Sequence, residues 1–418
     1  MANSGYQPKT ALGRFFDSRL PVARLVHDQF VAFPTPRNLN LWYSFGAILG
    51  AFLIIQILTG IVLAMHYIPE AGLAFASVEA IEREVNYGWL LRSMHATGAS
   101  IFFLAVYIHL FRGLYYGSYT APREIVWVIG VLIYLLMVAT AFLGYVLPWG
   151  QMSYWAATVI TSLFGSLPVV GDSLTNWLWG DFAVGGATLT RFYALHYLFP
   201  FLICLLVAAH LWALHQVGNG NPAGIDVKGP QDTLPFHPYF TIQDGFAVAA
   251  FLVVYAGLVF FAPDAFTNPD NYIPADPMVT PAEIRPDWYF LPYYAMLRAV
   301  PFKLLGVAVM FGAFASPLFA PWLDAAKTRS CRYRPLMVLF FWGFVAACLA
   351  LGYVGSQTAD ATIRLGGMEM PLVWLGRLAT LYYFAYFWVA MPVVSRIEVP
   401  LKTPATIAEP VLKTGETP

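Results

Sequence analysis

Four histidines stand out by type and spacing. His95 and His109 are 14 residues apart, and so are His196 and His210. At 3.6 residues per turn, 14 residues make nearly four turns, so the members of each pair share one helix face. They lie ~21 Å apart along the axis at 1.5 Å per residue. If the two helices run in the same direction, His95 faces His196 at one depth and His109 faces His210 at another. A lone histidine in an apolar helix reads as a hydrogen bond to a neighbour. Two pairs at one spacing read instead as two stacked metal centres with two axial imidazoles each. Zinc is a poor occupant, because no cysteine or carboxylate completes a tetrahedron at either level. A haem, which brings four planar nitrogens and takes two axial ligands, suits both levels. The chain has no CxxCH, so the expected cofactors are two non-covalent b-type haems.

The same interval recurs in glycines. Gly46 and Gly60 are 14 apart, as are Gly130 and Gly144. These glycines read as room for a macrocycle edge between helices, against the alternative of ordinary small-residue helix packing. Arg92, Arg112 and Arg191 flank the histidine segments and are candidate partners for haem propionates. Their other reading is arginine reaching out to the membrane interface.

The elements that must carry these residues are membrane helices. The 418-residue chain is 59% hydrophobic and 11% charged, with a mean hydropathy of +0.63. That composition excludes an ordinary soluble enzyme and a disordered chain. Lys+Arg and Asp+Glu are both 23, so no basic field suggests nucleic acid. Cys204, Cys331 and Cys348 form no disulfide framework. The first 40 residues contain no apolar core of a cleaved signal peptide. Eight apolar stretches reach or approach the ~20 residues that span a bilayer: 41–68, 90–114, 125–145, 189–215, 245–261, 304–323, 336–353 and 372–394. The fold class expected is therefore all-α, a polytopic membrane protein whose first four helices form a di-haem bundle. With both termini cytoplasmic, the inner segments hold 15 of the 23 Lys/Arg, including Lys327, Arg329, Arg332 and Arg334, which sets that orientation. The expected organisation is an arm over 1–40, the bundle over 41–217, a connection and fifth helix over 218–262, a Pro-rich loop over 263–303, three further helices over 304–402 and a flexible tail over 403–418. The arm reads equally as lying on the membrane surface or as solvated.

Beyond the histidines, GAILGAFLIIQILTG, RSMHATGASIFFLAVYIHLFRGLYYGSY, LPWGQMSYWAATVIT, TRFYALHYLFPF, HPYFTIQD and PDWYFLPYYAMLR together cover much of the chain. On these motifs the sequence resembles the cytochrome b subunits of bc1 complexes. Eight spans in one chain and 13 residues between His196 and His210 look like the bc1 type rather than the split b6f type. The resemblance implies that His95 and His196 ligate a low-potential haem near the outer side, and that His109 and His210 ligate a high-potential haem near the inner side. It implies an outer quinol-oxidising site lined by Phe142, Tyr145, Ala156, Pro286, Asp287, Trp288, Tyr289 and Tyr294, with the helix that starts near Gly150. It also implies an inner quinone-reducing site using His215 and Asp244. In such a Q cycle one quinol electron would pass to a Rieske iron–sulfur protein and on to cytochrome c1. The other would cross the membrane through the two haems. The resemblance further implies a dimer, surrounding membrane lipids, and a bacterial cytoplasmic membrane in preference to a mitochondrial one.

Read as residues, Asp287 in an apolar Pro-rich loop can accept a proton and release it outward, or it is a solvated loop carboxylate. Asp244, at the start of its span, is either a helix cap or, with His215, a proton donor to quinone. Four positions depart from the family pattern. Asp287 stands where glutamate is usual, Ala156 where glycine is common, Gln243 where lysine is frequent and Ala47 where serine is frequent. The Ala156 methyl is expected to weaken strobilurin-type inhibitors of the outer site. Two other classes compete with this reading. A di-haem anchor of a quinone-linked dehydrogenase would have fewer spans and lack the PDWY loop. A cofactor-free transporter would show broken helices or an inverted repeat.

Overall fold

In the computed structural model, residues 5–365 and 367–413 are described; residues 1–4 of the arm and 414–418 of the tail lie outside them. Among the described residues, eight helices are long and apolar enough to cross a membrane. They and two shorter helices are labelled here in chain order. α1 is Leu41–Ala64, α2 Gly88–Tyr115, α3 Glu124–Val146, α4 Gln151–Ser162 and α5 Gly186–Val217. α6 is Tyr239–Phe261, α7 Leu291–Ala299, α8 Lys303–Leu323, α9 Pro335–Gly355 and α10 Val373–Ile397. The continuous apolar runs leave backbone groups no partner but their own helix, which is why these segments are helical. Large side chains such as Leu58, Leu205, Trp212, Val253 and Phe261 point outward, as lipid-facing positions do.

The bundle is built from two tightly packed pairs, α1 on α2 and α3 on α5. α6 lies against α1 and α2, while α7 wedges between α9 and α10. Two of the ten, α4 and α7, are outside the membrane-length set and frame the outer loops.

Three features differ from the sequence reading. α6 begins at Tyr239, behind Pro238, six residues before the expected 245. Asp244 is therefore inside the helix and does not cap it; the polar run Thr241–Asp244 hid the first turn from a hydropathy count. Two small antiparallel strand pairs also supplement the helices. β1 (Pro34–Pro36) pairs with β2 (Thr233–Pro235), Thr35 opposite Leu234, and so pins the arm to the loop before α6. β3 (Thr362–Leu365) pairs with β4 (Met368–Pro371) on the other side of the chain. Finally, the tail is docked as far as it is described. Ile407 and Ala408 are buried, and the Ala408 amide donates to Asp232 Oδ1 at 2.9 Å. A buried carboxylate that needs donors holds the segment that composition alone marks as flexible.

The inner basic cluster also divides. Arg329 pairs with Asp226 on the surface (2.5 Å), holding the Asp226 carboxyl below its ordinary range through that hydrogen bond. Arg334 is instead fully buried. Its guanidinium reaches Asp324 at 2.6 Å and Glu398 at 3.0 Å, both carboxylates being buried too. Tyr119 adds a hydrogen bond to Asp324 (2.6 Å). Arg334→Met leaves two buried carboxylates facing one another without a cation. The expected cost is ~3–5 kcal/mol, visible as a lower thermal midpoint of the purified assembly.

Candidate functional site: facing imidazoles and a carboxylate in one cavity

α2 and α5 bring His95 and His196 opposite one another inside the bundle. The ring centres are 6.1 Å apart and the planes cross at 85°. Two imidazoles bound through nitrogen to one metal, at about 2.0 Å each, place their ring centres roughly 6 Å apart. The observed spacing would suit a single metal held between the two rings. Each ring is also oriented from behind. His95 Nδ1 meets Thr59 Oγ1 at 2.9 Å, and that hydroxyl donates in turn to the Ile55 carbonyl at 2.7 Å. His196 Nδ1 donates to the Thr140 carbonyl at 2.8 Å. With Nδ1 engaged, Nε2 is the nitrogen left to ligate, the usual arrangement of a metal-binding histidine. Among the described residues no group of three or more His, Cys, Asp and Glu converges on one point. A haem, which brings its own four nitrogens, would fit between these two rings.

The four glycines oppose the four histidines one to one. A Cβ on Gly60 would stand 3.0 Å from His95 Cε1, and one on Gly144 only 2.4 Å from His196 Cε1. At Gly130 the nearest atom is His210 Cε1 at 3.1 Å, and at Gly46 it is His109 Cε1 at 3.7 Å. The glycines thus make room for the imidazole rings, where the sequence reading placed a macrocycle edge. The reason is the pairing of helices: each glycine helix packs directly on a histidine helix. Gly144→Ala is expected to push His196 out of line and remove one b-type absorption band. Gly46→Ala, in ordinary contact, is expected to keep both; pigment content of the purified variants decides.

The inner pair is set differently. Arg112 Nη2 lies 3.2 Å from His109 Nδ1, and Nη1 donates to Ser118 Oγ at 3.3 Å. Its guanidinium lies 4.6 Å above the Tyr43 ring. Arg112 Nε is buried without a partner. His210 Nδ1 is directed toward the Val126 carbonyl without closing a hydrogen bond. A buried arginine N–H lacking an acceptor suits a propionate carboxylate, so these residues fit a second haem. Arg92 lines the outer cavity, with Nε 3.9 Å from Glu82. Arg191 does not reach that cavity; it is exposed and donates to the Trp177 carbonyl.

One cavity of about 250 Å³ runs from the outer imidazoles to the Pro-rich loop. His95, His196, Tyr145, Asp287 and Tyr289 share its wall. Asp287 is half-buried, and desolvation pushes its carboxyl up to about 6 even though Tyr289 donates to Oδ2 at 2.6 Å. The other expected lining residues stand behind this wall. Phe142 packs on Phe192 (5.8 Å between centroids), and Trp288 lies edge-on to Tyr289 (5.7 Å). Pro286 is half-buried. Ala156 is buried within α4, outside the cavity wall, so its methyl does not enter the cavity directly. Tyr294 donates to the Ile284 carbonyl at 3.3 Å, under Arg298.

At the inner end His215 and Asp244 are not joined by a hydrogen bond. His215 is gripped by the N-terminal arm: Nδ1 bonds the Gln29 side chain, and the ring stacks on Phe33 at 4.2 Å.

The family model described as Cytochrome b/b6/petB matches residues 30–218, and that described as Cytochrome b(C-terminal)/b6/petD matches residues 274–384. A cytochrome b of Rhodospirillum rubrum is 55% identical over 95% of this chain and 96% of its own length. The chain belongs to the cytochrome b family. A cytochrome b/c1 of Bradyrhizobium diazoefficiens is 56% identical over 99% of this chain, which spans 59% of that longer relative. A solved structure of a hyperthermophilic respiratory Complex III superposes with a TM-score of 0.84 at 36% identity, covering 92% of this chain and 99% of that one.

Cytochrome b membership implies binding of haem b in an integral, multi-pass membrane protein that assembles with other subunits. The histidines, the glycines opposite them and the unpartnered Arg112 N–H fit that cofactor. Several contributors were missed in the sequence: Thr59, Thr140, Phe103, Tyr107, Gln29 and Phe33. Only Thr59, next to Gly60 in the glycine repeat, carried a local signal.

Proposed function

We propose that this chain is the quinol-oxidising, quinone-reducing di-haem b subunit of a proton-translocating bc1 complex. The observation that carries the reading is the cavity joining the outer imidazole pair to the hydrogen-bonded Asp287–Tyr289 pair. His95 and His196 hold the low-potential outer haem; His109 and His210 hold the high-potential inner one. When bound, the haems supply a one-electron relay between the two sides of the membrane. Gly46, Gly60, Gly130 and Gly144 let the imidazoles seat, and Arg112 and Arg92 neutralise propionates.

The outer site takes a quinol. Asp287, ionised above about pH 6, accepts a proton from a quinol hydroxyl and passes it to outer water; Tyr289 fixes the carboxylate for that transfer. Tyr145 shares the cavity wall and shapes the quinol pocket. At the inner site His215 orients quinone, with Asp244 as a second proton source and Gln29 fixing the imidazole. Support for the partners is the likeness to a respiratory Complex III and to a cytochrome b/c1. We assign as partners a Rieske iron–sulfur protein, cytochrome c1 and a second copy of the chain. The location follows the basic residues: the bacterial cytoplasmic membrane with both termini inside. No comparison favours the dehydrogenase-anchor alternative.

A spectroscopic redox titration of the purified complex, with and without an outer-site inhibitor, tests this. Two b-type components are expected, and the inhibitor is expected to perturb the lower-potential one. A single component, or none, would overturn the assignment.

A further inference from the structure

Resting on the outer-site reading above, we infer that Tyr107 is a positioning residue for the proton acceptor, acting on the main chain of Tyr289 from helix α2. The Tyr107 hydroxyl donates to the Tyr289 carbonyl at 2.5 Å. The Tyr289 hydroxyl in turn donates to Asp287 Oδ2 at 2.6 Å. One turn earlier on α2, Phe103 lies flat against the Tyr289 ring, 4.0 Å between centroids and 6° between planes. Two consecutive turns of one helix therefore fix both ends of the tyrosine that holds the carboxylate.

The same helix carries the two imidazole ligands His95 and His109. Tyr107 and His109 are two residues apart, so they leave α2 on nearly opposite faces. α2 thus sets the carboxylate and the outer imidazole in one frame, and Phe103 lines the cavity they share. This matters because a loop free to move by about 1 Å costs a proton transfer up to ~10²-fold. The local backbone supplies little hydrogen-bonded restraint of its own, since Tyr289 sits in a three-residue helical turn, Trp288–Phe290.

Tyr107 is itself braced. Its hydroxyl is 3.5 Å from that of Tyr134 on α3, which is 2.7 Å from that of Tyr293 on α7. Tyr293 stacks on Phe314 at 3.8 Å. The three hydroxyls are buried, so each needs a partner, and the chain provides one for each. Tyr134 supports Tyr107 but does not touch the loop carbonyl.

The test uses the assembled complex. Tyr107→Phe is expected to lower kcat for quinol oxidation about 3–10-fold, with quinol KM within about twofold and both b-type potentials unchanged. Added to Asp287→Asn, it is expected to cause no further loss, since residues acting through one group are non-additive. Tyr134→Phe, which keeps the bond to the loop, is expected to turn over within about twofold of the parent. Parent-like turnover of Tyr107→Phe overturns the inference. So does a multiplicative loss in the double variant, or a Tyr134→Phe as slow as Tyr107→Phe. If Tyr107→Phe does not assemble with both haems, Phe103→Leu, which removes the stack on the same tyrosine, is read by the same double-variant comparison. Asp287→Asn running at the parental rate would instead defeat the outer-site reading itself. A slow Asp287→Asn beside a parent-like Tyr107→Phe defeats only the role of Tyr107.

Discussion

Replacing His196 with alanine is expected to eliminate one of the two b-type absorption bands and to reduce quinol-dependent reduction of the acceptor cytochrome by ~100-fold or more. A loss of that size corresponds to about 2.7 kcal/mol in activation free energy. The argument is geometric. His95 and His196 stand 6.1 Å apart, each with Nδ1 committed to a threonine oxygen and Nε2 free. On the proposed reading, removing one ring would leave a haem iron held there with a single protein ligand and would open a space beside Gly144. His210 belongs to the other level, so the second band is expected to persist. A His196→Ala variant that kept both bands would show that the pairing does not hold an outer haem.

Asp287→Asn is expected to slow quinol oxidation by ~10²-fold, the lower range for losing a general base, while both bands remain. The amide oxygen still accepts the Tyr289 hydroxyl, so the loop keeps its place, but an amide takes no proton. The pH dependence has a definite sign. Burial raises the Asp287 carboxyl to about 6, and Tyr289 and Arg92 only partly offset that. The group accepts a proton only when ionised, so the parental rate falls as pH drops through about 6 and levels off above it. In Asp287→Asn that acid limb disappears. Steady-state rates between roughly pH 5 and 8, a window centred on the raised value, decide; a variant with the parental limb would remove Asp287 from the proton path. Asp287→Glu, which carries the family's usual residue, is expected to stay within a few-fold of the parent.

The first expectation could be framed from the sequence because its elements are periodic; the second rests on the resemblance carried by the PDWY loop. The 14-residue interval needs only the helical repeat to place two imidazoles on one face, and a continuous apolar run in a bilayer has no alternative to a helix. The helix positions followed to within a few residues, except for α6. There a polar first turn behind Pro238 is invisible to hydropathy, so Asp244 was placed at a cap it does not form. Arg191 shows the same limit. Its distance from His196 in the chain suggested a cofactor partner, but its direction on α5 turns it to the Trp177 carbonyl. The docked tail and the buried Arg334 depend on carboxylates, Asp232, Asp324 and Glu398, contributed from elsewhere in the chain.

The sequence by itself determined the membrane class, the number of membrane-length helices and the equal spacing of the two histidine pairs. These are consequences of spacing along single helices and of the composition that lipid demands. Only the tertiary structure decided that the glycines oppose the imidazoles, that Asp287 shares a cavity with His95 and His196, and that Tyr107 and Gln29 reach their partners. Those contacts join residues up to 186 positions apart. They depend on the direction in which each side chain leaves its helix and on which helices pack together, and no local pattern encodes either.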